Sequence, residues 1–88
     1  MTRRLKHYVL YIPDKIFYGV DAFSIDNLRK RVIKEYMVSE KRVQVYVNGG
    51  ETADDTYIGT IVRNVRGEYY WIGKRKSRIS PKTGKLMG

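Results

Sequence analysis

The chain has no cysteine. In 88 residues that rules out a disulfide framework and a thiolate-bound zinc or iron–sulfur site as the support of a small fold. A domain of this size buries only about 60–65% of the surface its unfolded chain exposes, so most large apolar side chains must go into one core. The fold has to stand on packing alone.

Apolar periodicity then gives the elements. Leu5 to Ile12 is rich in β-branched and aromatic residues and ends at the turn sequence Pro13-Asp14-Lys15, which reads as a first strand. Tyr8, Leu10 and Ile12 fall on one face and Leu5, Val9 and Tyr11 on the other, a doubly apolar pattern that suits a central strand. Ile16 to Val20 reads either as a short return strand or as an ordered loop against the core. Ser24 is a good N-cap for a helix over Ile25 to Met37, with Asp26 at the positive end of its dipole. Ile25, Leu28, Val32 and Tyr36 share one side of that helix, and Ile33 and Met37 widen the stripe.

Val43, Val45 and Val47 alternate with Gln44 and Tyr46, the pattern of a half-buried strand that stops at Asn48-Gly49-Gly50. Tyr57 to Val65 and Glu68 to Gly73 are the last two strands, joined at Arg66-Gly67. A two-residue turn there sets Val62 opposite Trp71 and Asn64 opposite Tyr69. The expected architecture is α+β: a small, mainly antiparallel sheet of about four strands, with an optional extra short strand, under one amphipathic helix, in the order β-(β)-α-β-β-β. Residues 1–73 form the single domain. Residues 74–88 have little to bury and are expected to be a disordered basic tail.

Charge points to the partner. Of a net charge of +9, the tail holds six cations, Lys74, Arg75, Lys76, Arg78, Lys82 and Lys85, and no acid. A second set, Arg29, Lys30, Arg31 and Lys34, belongs to the helix, and Arg63 and Arg66 flank the final hairpin. Clustered cations beside aromatic residues suit a polyanion that carries flat bases. Nucleic acid, DNA or RNA, is the expected partner, held by phosphate contacts from tail and helix. Tyr69 is expected to remain partly accessible as a stacking surface. Trp71, the only Trp, is expected in the core.

No cofactor or metal is expected. Glu51, Asp54 and Asp55 have oxygen ligands but not the spacing of a calcium loop, and Thr83-Gly84-Lys85 lacks the upstream glycine of a phosphate loop. His7, the only histidine, with a Tyr, Glu35 or Glu68 would supply an acid–base pair. In size, charge and element order the chain is similar to small basic endoribonucleases, so a small ribonuclease is one alternative to a non-enzymatic binder. The other is an accessory module of phage or mobile-element type that grips a protein partner through the sheet surface or a strand edge. No run approaches the roughly 20 apolar residues needed to span a bilayer. The first residues lack the form of a secretory signal, and a cytoplasmic protein without a membrane partner is the expectation.

Overall fold

The computed structural model describes residues 5–12, 17–37, 40–47 and 56–87. Among them are β1 (Lys6–Tyr11), β2 (Phe17–Ala22), α1 (Ile25–Glu35), β3 (Arg42–Val47), β4 (Thr56–Arg63), β5 (Tyr69–Ile72), β6 (Lys76–Ile79) and β7 (Leu86–Met87). The strands make one sheet in the order β2-β1-β3-β4-β5-β6-β7, antiparallel at every step. Helix α1 carries the chain from β2 past β1 to β3.

Local chemistry accounts for the helix. The Ser24 hydroxyl accepts a hydrogen bond from the Asn27 amide at 3.2 Å, and Asp26 sits in the first turn, so one otherwise free donor and the dipole's positive end are both answered. The helix closes at Glu35, two residues short of its expected end, where the Tyr36 and Met37 amides both reach the Val32 carbonyl. Leu28, Val32 and Ile33 turn inward and join Tyr8, Leu10, Val20, Val43, Val45, Ile61, Trp71 and Ile79 in one buried cluster. Trp71 is core. A Cβ at Gly59 would lie within the Trp71 ring, so the indole fits only because β4 carries a glycine at that point.

The sheet corrects the expected count of about four strands to seven. The short return segment is a full strand, β2, and the sheet continues beyond residue 73. Lys76, Ser77, Arg78 and Ile79 pair with Ile72, Trp71, Tyr70 and Tyr69, so the segment expected as a disordered tail is strand β6 followed by β7. Two forces hold it. Strand β5 would otherwise be an edge with unmatched amides and carbonyls, which β6 pairs. Ile79 meanwhile enters the core with 1% of its surface exposed. The cations at Lys76 and Arg78 stay outside, so the strand needs only one large apolar side chain.

The hairpin between β4 and β5 also differs from the two-residue turn. Ile61 faces Trp71, Val62 faces Tyr70 and Arg63 faces Tyr69, one residue from the expected register. The loop has three residues, closed by Asn64 N to Glu68 O and Gly67 N to Asn64 O, each 3.0 Å. The Asn64 side-chain oxygen accepts from the Arg66 and Glu68 amides at 3.0 and 2.9 Å, an Asx-type turn, and the positive φ of 82° falls on Gly67.

Because Ile79 anchors β6, Ile79→Ala is expected to lower stability by about 2–4 kcal/mol. Chemical denaturation measures this. An unchanged midpoint would mean that β6 does not dock in solution.

Candidate functional site

A strand presents alternate residues to opposite faces, and the one helix among the described residues lies on one face. Cross-strand partners share a face, so the register identifies what the uncovered face carries. One row runs Phe17, Tyr11, Gln44, Thr60, Ile72, Lys76 across β2, β1, β3, β4, β5 and β6. The next runs Arg42, Val62, Tyr70, Arg78, Met87 across β3 to β7. Between these rows Arg42, Gln44, Thr60, Val62 and Ile72 line a depression of about 220 Å³.

Aromatic rings crowd the β1–β4 part of this face. Tyr11 and Phe17 have centroids 4.6 Å apart and Tyr46 and Tyr57 5.5 Å apart, and Phe17 is 64% exposed. Tyr57 is there because of a bulge. The β3–β4 register passes from Val45–Gly59 to Tyr46–Tyr57 and skips Ile58, so Ile58 turns toward the core. Tyr57 then shares a face with Thr60, three residues on, and their hydroxyls bond. Residues three apart in a regular strand point opposite ways, and a bulge removes that bar. The Tyr46 hydroxyl donates to Gln44 Oε1 at 2.9 Å, so the polar groups between the rings are already paired.

Cations lie along the other part. Lys76 Nζ stands 4.8 Å from the centre of the Tyr70 ring. Arg78 lies 3.5 Å from Glu68, whose other oxygen accepts from Asn64 at 3.2 Å. Arg42 flanks the depression, and Lys74 and Arg75 form the exposed tip of the β5–β6 hairpin. Lys74, Arg75, Lys76 and Arg78 were expected from the sequence as nucleic-acid contacts. Arg42, Tyr11, Phe17, Tyr46, Tyr57 and Tyr70 were not. The missed signal was alternation: with Trp71 in the core, Tyr70 must face outward.

Several expected contacts lie elsewhere. Arg29 is buried, 4% exposed, with Nε donating to the Gly84 carbonyl at 2.7 Å and a terminal nitrogen paired with Asp26. Its guanidinium carbon lies 5.2 Å from the Trp71 ring centre. It is unavailable to a ligand. Tyr69 and Arg63 face each other on the helix side, where Tyr69 packs against the core and Arg63 donates to the Met37 carbonyl at 3.1 Å. Lys30, Arg31 and Lys34 are exposed on the outer side of α1, away from the open sheet face, and Arg31 donates to the Asp21 carbonyl at 2.7 Å. Arg66 lies in the β4–β5 turn, and Lys82 and Lys85 in the loop between β6 and β7, all exposed.

His7 Nδ1 lies 2.6 Å from Asp21 Oδ1, both side chains about half exposed. Glu35 and Glu68 pair with arginines instead. Among the described residues no group of three His, Cys, Asp or Glu could hold a metal. The Pro13-Asp14-Lys15 turn, Asn48 to Gly50 and the acidic segment Glu51 to Asp55 lie outside the described residues.

The chain matches no protein-family model, no curated protein and no solved structure. No helix among the described residues is long and apolar enough to cross a membrane.

Burial shifts two groups on the helix side of the sheet. Desolvation pushes the Tyr8 phenol above its ordinary value, opposed by the nearby Arg29 charge. Desolvation pushes Arg29 down, opposed by Asp26 and then Tyr8. Above pH 10 an unfolded tyrosine ionises while the buried phenol keeps its proton, so the folded state binds more protons and stability falls as pH rises. Tyr8→Phe should flatten that alkaline decline. Denaturation midpoints between pH 8 and 11 check this, and an equal decline in both proteins contradicts it.

Proposed function

We propose that the open sheet face binds single-stranded nucleic acid. Bases lie against Tyr11, Phe17, Tyr57 and Tyr70, and phosphates are held by Arg42, Lys76 and Arg78 with Lys74 and Arg75 at the hairpin tip. The observation that carries this reading is that the Phe17, Tyr11 and Tyr70 rings fall in the same two cross-strand rows as Arg42, Lys76 and Arg78, with Tyr57 on the same face, and that no described helix covers that face. Every base has a π-face, so stacking tolerates sequence, and cations beside the rings follow the backbone. A duplex conceals its base faces and would leave the rings unused. A protein-docking surface is better served by an apolar patch away from like charges, and here cations border the apolar groups directly.

The ribonuclease alternative calls for His7, a carboxylate and arginines around one cavity. His7 and Asp21 do pair, but Arg31 is directed to the Asp21 main chain, and this arrangement favours binding over cleavage.

Titration of the protein with single-stranded DNA, single-stranded RNA and duplex DNA across a salt series tests the proposal. Single strands are expected to bind more tightly than duplex. Phe17→Ala and Tyr70→Ala should each cost about 1–3 kcal/mol of single-strand affinity with little change in stability. Replacing Lys74, Arg75 and Lys76 by alanine should lower the dependence of log K on log salt by about 0.7 for each lost phosphate contact. Tighter duplex binding, or full affinity in both aromatic variants, would overturn the assignment of this face.

A further inference from the structure

A second concave surface lies between α1 and the end of the sheet where β1 begins and β2 ends. It encloses about 360 Å³, within the roughly 300–1,000 Å³ range of ligand-binding clefts. Lys6 pairs with Ala22 at this end of the ladder, so Leu5 and Phe23 emerge side by side just beyond it. Both line the groove with 57% and 45% of their surfaces exposed. The facing wall is the outer side of α1, which contributes Asn27, Lys30, Arg31 and Lys34.

The charges here are not equivalent. Arg31 donates to the Asp21 carbonyl at 2.7 Å and lies 4.0 Å from Glu35, and Asp21 is engaged by His7. The two acids in the groove therefore already have partners. Lys30 and Lys34 have no ion pair among the described residues, and at i and i+4 they stand one above the other on the helix. The groove thus sets two exposed apolar side chains opposite a pair of unengaged ammonium groups.

We infer that this groove takes an acidic peptide segment of a partner protein that carries a bulky apolar residue. The apolar residue seats between Leu5 and Phe23, and its carboxylate neighbours meet Lys30 and Lys34. Charge complementarity selects an anionic partner. The apolar wall distinguishes a peptide from a bare phosphate backbone, which would satisfy the lysines and leave Leu5 and Phe23 in water. The inference does not depend on the nucleic-acid reading, since it uses none of the residues assigned to that interface.

The test is nitrogen-15 NMR of the full chain titrated with an acetylated, amidated octapeptide, Asp-Glu-Asp-Leu-Phe-Glu-Asp-Glu. A control peptide has alanine in place of Leu-Phe. Saturable amide shifts confined to residues 21–34 and neighbours of Leu5 are expected, with the control at least tenfold weaker. Lys30→Gln combined with Lys34→Gln, and separately Phe23→Ser, should each weaken binding about tenfold or more while the spectrum stays dispersed. Having two variants on opposite walls keeps the test decisive if one fails to fold. Equal binding of the two peptides reduces the site to charge alone and overturns the proposal, as does an absence of groove shifts. A thymidine octanucleotide or phosphatidylserine vesicles that shift these amides when the peptide does not would assign the lysines to phosphate chemistry and overturn it equally.

Discussion

Taking a guanidinium out of water costs several kcal/mol unless paired groups offset it, and Arg29 is paired on every side. Asp26 supplies the counter-charge, the Gly84 carbonyl accepts from Nε, and Trp71 offers its ring face. These partners belong to the helix, to the loop after β6 and to β5. The bond to Gly84 spans 55 residues, so one side chain fastens the last part of the chain onto the first turn of the helix. The fit is tight: Gly84 has φ of 73°, and a Cβ there would collide with the Asp26 carbonyl, so glycine is needed for both reasons. Ser80 and Lys85 close the loop beneath it, with Gly84 N bonded to Ser80 O at 2.7 Å and Ser80 N to Lys85 O at 2.9 Å. With this clasp in place β6 and β7 have fixed ends, and the cations of the β5–β6 hairpin project from a supported strand.

The second consequence is geometric. An 11-residue helix is about 16 Å long, while seven strands spaced about 4.8 Å apart span about 29 Å. The helix lies against one side of such a sheet, and no described helix lies against the other. This chain manages that with hybrid residues. Tyrosines set rings on the surface with hydroxyls to be hydrated or bonded, Gln44 and Thr60 pair with Tyr46 and Tyr57, and cations border the aliphatic positions. The same composition that keeps the face wettable suits it to a ligand with flat apolar parts and anionic links.

Periodicity made the first strand, the cap at Ser24, the helix and the Val43–Val47 alternation legible, because each depends on neighbours in sequence. What escaped depends on partners far along the chain. Arg29 looks like its neighbours Lys30 and Arg31 until Gly84 and Trp71 are brought to it. Lys76 to Ile79 looks unstructured by composition, since its stabilisation comes from the β5 backbone and one isoleucine. The bulge at Ile58 sends Tyr57 to the other face with no local breaker in Tyr57-Ile58 beyond the adjacent Gly59. The last hairpin shows the effect of a single residue: a two-residue turn sets Val62 opposite Trp71, whereas the Asx bonds of Asn64 open a three-residue loop that brings Ile61 opposite Trp71. A shift of one exchanges the β4 residues that share a face with Trp71, so Ile61 rather than Val62 is buried beside it.

The Lys76–Tyr70 contact bears on how the open face would work. The ammonium occupies the ring surface that a base would take, so both cannot lie there together. An exposed cation–π contact is worth about 0.5–1 kcal/mol, and stacking of a base on an aromatic side chain about 1–3 kcal/mol. On the proposed reading a base would displace the lysine, and the flexible four-carbon stem would let the ammonium swing to a phosphate without moving the strand. In the free protein the same lysine hydrates one side of the ring and repels like-charged surfaces from the apolar row. On the proposed reading, adjacency of cation and ring gives each residue a partner in both states: they hold one another when the face is empty, and they separate onto phosphate and base when it is filled.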